Sequence, residues 1–166
     1  MKEIDAEKFK EIVKRGMEFL FQDRALLNKI NVLPVADGDT GDNLVHTLKP
    51  VYDQIGAMAE PRLDDLAARL AAVMLMSAKG NSGVIFSQFF FSFAKALKGK
   101  ATIGPADFSL AMEKAVHETY DSIAQPKEGT ILTVLRHTAE EFKSVCHASH
   151  QAVFIAPLNE FDIHGS

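Results

Sequence analysis

Asp37, Asp39 and Asp42 fall within six positions, in the segment Asn31-Val-Leu-Pro-Val-Ala-Asp-Gly-Asp-Thr-Gly-Asp-Asn-Leu44. Carboxylates this close repel one another unless something positive sits among them. A hard divalent cation such as Mg²⁺ suits them, because it prefers oxygen ligands and brings substrate phosphates with it. An EF-hand is excluded by the count. With Asp37 as position one, Leu48 stands at position twelve, where a bidentate Glu is required. Helical periodicity begins directly after the segment, near Thr40. A helix start offers free N–H groups and a positive dipole end to phosphate, and acidic side chains beside it admit phosphate only if a metal bridges the two. Two readings stand on spacing alone: a Mg²⁺–phosphate site, or an Asp/Gly turn in which Thr40 or Asp39 caps the helix.

Two further glycine-bearing loops precede helical patterns. In Ser77-Ala-Lys-Gly-Asn-Ser-Gly83, Gly80 and Gly83 flank Asn81 and Ser82. Glycine lets backbone approach a ligand, but taken alone the segment reads better as a helix–helix turn with Ser82 as N-cap. A Walker A loop is excluded, since the Gly-Lys-Ser/Thr ending is missing. In Pro126-Lys-Glu-Gly-Thr130, Gly129 and Thr130 read first as a capped helix start. The repetition is what matters: helices of alternating direction would gather the three loops at one end of a bundle, where ligand sites are common. His46 lies one turn beyond the acidic loop and otherwise reads as a solvated helix residue. No Gly-x-Ser-x-Gly elbow or Cys/His metal spacing occurs.

The elements that would position these loops are helices. Phe9, Ile12, Val13, Gly16, Phe19 and Leu20 keep three-four spacing behind Asp5 as N-cap, and Leu26, Leu27 and Ile30 continue the stripe toward a break at Leu33-Pro34. A second helix runs from Thr40 toward Ile55, with Pro50 expected to kink or end it. Leu63, Leu66, Leu70, Val73 and Met74 face a third, which ends near Gly80. Phe86, Phe89, Phe90, Phe93 and Leu97 mark a fourth, closed by Gly99. Pro105 opens a fifth, with Phe108, Met112, Ala115, Thr119 and Ile123 inward. The sixth starts near Thr130, with Ile131, Val134, Leu135 and Phe142 inward. Val32-Leu33 and Val153–Ile155 are the only strand-like stretches. The expected fold is all-α, an antiparallel helical bundle or barrel over residues 1–147, followed by an irregular tail over 148–166.

Composition narrows the class. The chain has 166 residues, 47% of them hydrophobic, which suits one globular domain. A net charge of −4 and the lack of a basic run argue against a nucleic-acid surface. One cysteine, Cys146, fits a reducing cytoplasm, and no apolar run reaches the ~20 residues of a membrane span. Twelve phenylalanines without a tryptophan read as core, with an acyl-binding cavity as the sharper alternative.

At these same three loops the sequence resembles the DhaL-type kinase domain, most closely the N-terminal ATP-binding domain of fatty acid kinase A subunits, also labelled Dak phosphatase. The resemblance rests on Asn31–Asn43, Gly80–Gln88 and Glu128–Val134, in order, and covers roughly residues 1–145. It implies a helical barrel that binds ATP or ADP with Mg²⁺ at one end. Asp37 and Asp39 would hold the metal. Thr40, Gly41 and Asn43, with Gly80, Asn81, Ser82 and Gly83, would lie near the phosphates. Gly129 and Thr130 would close over the nucleotide. Asp42 replaces a common Thr and is either an added metal ligand or a first-turn acid. Thr40 stands where dihydroxyacetone kinases carry His, which favours the fatty-acid branch, whose acceptor is presented by a DegV-like binding protein. The alternatives are the ATP-binding subunit of a dihydroxyacetone kinase, acting with a dihydroxyacetone-binding subunit, and an inactive interaction module. The family pattern continues for further helices, so a shortened barrel with exposed apolar faces, and a homodimer covering them, are expected.

Overall fold

The computed structural model describes residues 3–32 and 36–151, the last five as backbone. Among these residues the regular structure is seven helices: α1 (Ala6–Gln22), α2 (Arg24–Lys29), α3 (Thr40–Ile55), α4 (Leu63–Ser77), α5 (Gly80–Ala96), α6 (Pro105–Asp121) and α7 (Ile131–Gln151). The fold is all-α, as the periodicity implies. No strand forms among the described residues; the one β feature there is an isolated bridge between Ile4 and Ile103. Leu33, Pro34, Val153–Ile155 and the tail beyond Gln151 lie outside the described residues.

Local chemistry sets the helix ends. The Asp5 carboxylate accepts from Lys8 N–H at 2.9 Å and caps α1. One stripe was expected from Phe9 to Ile30, but the chain turns a corner at Asp23, which ends α1 and begins α2. Pro105 occupies the first turn of α6, where its missing N–H costs nothing. Pro50 does not end α3, which runs on to Ile55. The carbonyl it leaves unpaired belongs to His46, and both residues border an open groove where water can serve it.

The core follows from the apolar faces. Leu63, Leu66, Leu70 and Met74 make one wholly buried stripe of α4, each burial contributing about 1.5–3 kcal/mol. Several phenylalanines knit the core together, although Phe19 and Phe91 stand exposed: Phe9 stacks on Phe93 at 6.0 Å, Phe93 meets Phe108 edge-on at 5.2 Å, and Phe108 packs on Phe142 at 4.9 Å. Two faces differ from the expected ones. On α1 the inward residues are Ala6, Phe9 and Met17, helped by Val13, Leu20 and Phe21, while Ile12, Gly16 and Phe19 stand exposed. Apolar side chains cover more than one side of α1, and α3 and α4 cover only part of it. On α7, Leu132, Leu135 and Ala139 turn inward and Val134 turns out.

Neighbouring helices alternate in direction. At one end the α5–α6 connection ties down α4: Gly99 N–H donates to Asp64 at 2.8 Å, and Leu63 and Asp64 N–H donate to Ala101 and Lys100 carbonyls at 3.1 Å. At the other end, α3, α5 and α7 begin where α4 and α6 finish.

Candidate functional site

That second end holds an open cavity of about 750 Å³, bordered by residues from all three glycine-bearing loops. Asp37, Asp39, Thr40 and Asn43 border it from the acidic loop and α3. Gly80, Asn81 and Ser82 come from the first turn of α5, and Lys127 and Thr130 from the segment before α7. Val84, Ile85, Ile123, Ile131 and Leu132 give it an apolar wall. Alternating helices do gather the loops.

The acidic loop is built from α2. Asp42 and Asn28 bond reciprocally: Asn28 Nδ2 donates to the Asp42 carboxylate at 3.0 Å, and Asp42 N–H donates to Asn28 Oδ1 at 3.1 Å. The Arg24 guanidinium donates to the same carboxylate and, with Asn28, holds it below the usual range. Asn28 therefore serves the first turn of α3. Asp39 occupies the N-cap position but makes no side-chain cap bond, so the capped-turn reading does not describe it. Gly41 is buried beneath α2, where a Cβ would meet the Arg24 carbonyl oxygen at 2.2 Å.

The candidate ligands thus separate. Asp37 and Asp39 face one cavity, and Asp37 accepts from Asn31 Nδ2 at 2.6 Å. Asp42 does not border that cavity; its carboxylate is spent on Arg24 and Asn28. It stands in the first turn of α3, apart from the cavity that Asp37 and Asp39 border. Among the described residues no three His, Cys, Asp or Glu side chains form a metal cluster. Two carboxylates with a neighbouring hydroxyl remain a fitting donor set for a hard cation that takes its other ligands from water and phosphate.

The second loop is pinned to α3. Lys79 N–H donates to Thr47 Oγ1 at 3.1 Å, and that hydroxyl donates to the Asn43 carbonyl at 2.7 Å. Ser77 Oγ reaches the Thr47 carbonyl at 2.8 Å. Helix α5 begins at Gly80 behind Lys79, so Ser82 is not its N-cap; it lies within the first turn and donates to the Thr40 carbonyl at 3.4 Å. Gly80 adopts φ +63°, and a Cβ there would strike the Asn43 amide nitrogen at 2.1 Å. Gly41, Gly83 and Gly129 stand back from the cavity. The first two are buried among helices, so they serve packing where close approach to a ligand was expected.

The third loop is a hydrogen-bonded turn. Thr130 Oγ1 accepts from Leu132 N–H at 3.3 Å, capping α7, and donates to the Lys127 carbonyl at 2.7 Å. Glu128, which the sequence reading gave no role, accepts from Thr133, Arg136 and Tyr120 at 2.6, 2.9 and 2.9 Å. Those donors hold its carboxyl at about 2, Thr133 contributing most. Lys127, Ser122 and Gln125 also had no site role in the sequence, and Ile123 was expected on the buried face of its helix where it borders the cavity. Lys127 lies inside a segment already singled out, while Ser122 and Ile123 follow only from α6 ending at this cavity. His46 lies instead in the neighbouring groove with Arg24, Lys49 and Lys79. Among the described residues no helix is long and apolar enough to cross a membrane.

A family model described as the DAK2 domain matches residues 34–160. Protein YloV of Bacillus subtilis is 34% identical over 138 residues, 83% of this chain and 25% of that protein. An uncharacterized protein of Staphylococcus saprophyticus is 36% identical over 137 residues, 82% of this chain and 25% of that protein. One from Staphylococcus aureus is 31% identical over the same length, again with 82% and 25% coverage. The chain spans about a quarter of the length of these curated relatives.

Proposed function

Since the chain belongs to the DAK2 domain family, which is associated with kinases and nucleotide binding, we propose that it is the Mg²⁺-dependent ATP/ADP-binding domain of a phosphotransferase. Its acceptor is a carboxylic acid, a fatty acid held by a partner protein. The observation that carries this reading is a single cavity bordered by two carboxylates and the starts of α3, α5 and α7. Helix starts favour phosphate, and the carboxylates would repel it alone. The pairing makes sense with a cation between them. Asp37 and Asp39 would hold that ion, which when bound neutralises phosphate charge. Thr40, Asn43, Asn81 and Ser82 orient the phosphates. The wall of Val84, Ile85, Ile123, Ile131 and Leu132 excludes water beside the base. Phosphoryl transfer asks mainly for positioning and charge neutralisation, and these residues supply both. Thr40, where dihydroxyacetone kinases carry His, favours the acyl acceptor.

A ligand that binds only the folded state raises its melting temperature. Millimolar ADP with Mg²⁺ is expected to do so, and Asp37→Ala or Asp39→Ala to abolish the shift while helical content stays. No shift with a folded wild-type sample, or binding retained in both variants, removes the site assignment. ATP turnover with a fatty-acid-binding partner, against a dihydroxyacetone-binding subunit, decides the acceptor. One observation favours a non-catalytic interaction module: Phe19, Leu26, Ile30 and Val32 are all exposed on and just after α1 and α2. That reading predicts partner capture with no ADP-induced shift.

A further inference from the structure

We infer that Glu128 is a positioning residue for the nucleotide cavity: it clasps the end of α6 to the start of α7 and thereby fixes Lys127 and Thr130 on the cavity wall. This rests on the nucleotide-binding reading above and extends it to a residue that does not itself border the cavity.

The geometry is a closed circuit. Gly129 N–H donates to Thr133 Oγ1 at 2.8 Å, and that hydroxyl donates to Glu128 Oε2 at 2.6 Å. Arg136, one helical turn further along α7, donates to the same oxygen at 2.9 Å. The other carboxylate oxygen accepts from Tyr120 Oη, on the last turn of α6, at 2.9 Å. Both oxygens are engaged, and their donors come from two helices. Beside this circuit, Thr130 is tied back to the Lys127 carbonyl at 2.7 Å. The residues from Lys127 to Thr130 therefore have one arrangement, although all but Thr130 are exposed. No apolar burial sets this loop; the polar clasp does.

What the clasp holds has a use at the cavity. Lys127 is the one Lys or Arg among the described residues bordering it. A cation there can meet phosphate oxygens in the cavity that Asp37 and Asp39 also border, but only if the loop is fixed. The Glu128 carboxyl, held at about 2, stays ionised throughout the physiological range and keeps all three donors.

The test is ADP–Mg²⁺ titration of the whole chain, wild type against Glu128→Ala, Glu128→Gln and Tyr120→Phe. Glu128→Ala is expected to weaken binding about tenfold, the size of losing charge-assisted hydrogen bonds that hold the wall. Glu128→Gln keeps one acceptor oxygen for Thr133 and Arg136 and is expected to restore most of the affinity, a rescue that a general loss of stability would not give. Tyr120→Phe removes only the α6 arm; it keeps the test sharp if Glu128→Ala does not fold, with a smaller weakening expected. In a Lys127→Ala background, Glu128→Ala is expected to add little. Wild-type binding with unchanged affinity in folded Glu128→Ala, or in Tyr120→Phe where the former does not fold, overturns the clasp alone. Absence of wild-type binding overturns the nucleotide reading, and the clasp's role with it.

Discussion

Gly41→Ala puts the placement of the acidic loop to a direct test. A Cβ at this position would sit 2.2 Å from the Arg24 carbonyl oxygen, 3.0 Å from its carbon and 2.9 Å from Asn28 Oδ1. The first contact lies about 1 Å inside ordinary van der Waals distance, and the atoms are backbone, so α2 must move as a body. Overpacking of this kind costs about 1–3 kcal/mol. Moving α2 also withdraws Asn28 from Asp42 N–H, an N-terminal cap worth about 1 kcal/mol. Together the loss is about 3 kcal/mol, or roughly 6–12 °C in melting temperature for a chain of this size. Urea unfolding followed by far-UV circular dichroism reads it as a lower midpoint at unchanged slope. Gly16→Ala is the matched control: Gly16 lies inside α1 with nothing within 4 Å of a built Cβ. There alanine is expected to stabilise by about 0.5–1 kcal/mol, through helix propensity and a less mobile unfolded chain. A Gly41→Ala loss below about 0.5 kcal/mol would refute the claim that α2 is seated on that glycine.

Other outcomes follow from the same contacts. Thr47→Val conserves shape but removes the part-buried acceptor for Lys79 N–H and the buried donor to the Asn43 carbonyl; chemical denaturation is expected to show a loss of about 2 kcal/mol. Glu128 titrates from 4.5 down to about 2 on folding, so the unfolded state binds the extra proton. Its contribution is present above 4.5 and lost as pH falls through 2. Glu128→Gln is therefore expected to flatten the stability–pH curve within that window, and salt to flatten it in the wild type, because the group is exposed. Equal slopes in the two proteins would remove Glu128 from the acid response.

Much of this was legible in the sequence, for identifiable reasons. Asp5, Pro105 and the Leu63–Met74 stripe each carry a strong local signal, and the structure follows them. The three loops could be read as neighbours because short connections between helices force alternation. What the sequence hid was tertiary. The faces of α1 and α7 depend on which neighbours cover them, so Ile12, Phe19 and Val134 were read inward and stand exposed. Gly41 and Gly83 looked like ligand glycines because close approach to a helix and to a phosphate ask for the same residue. Asp42 looked like a third ligand because its partners, Arg24 and Asn28, lie fourteen or more positions upstream.

Helix α2 explains how the carboxylate pair comes to be available. It has six residues and none of them is buried, so neither length nor core packing accounts for it; isolated helices so short do not form in water. What holds it is the start of α3: Arg24 and Asn28 on Asp42, and the glycine beneath them. Asp39 is a strong N-cap residue type at the N-cap position, and an uncapped helix start would draw its carboxylate onto the backbone. Asn28 meets that demand from outside the loop. The break at Asp23 divides α1 from α2, and on α2 Asn28 accepts from Asp42 N–H at the start of α3.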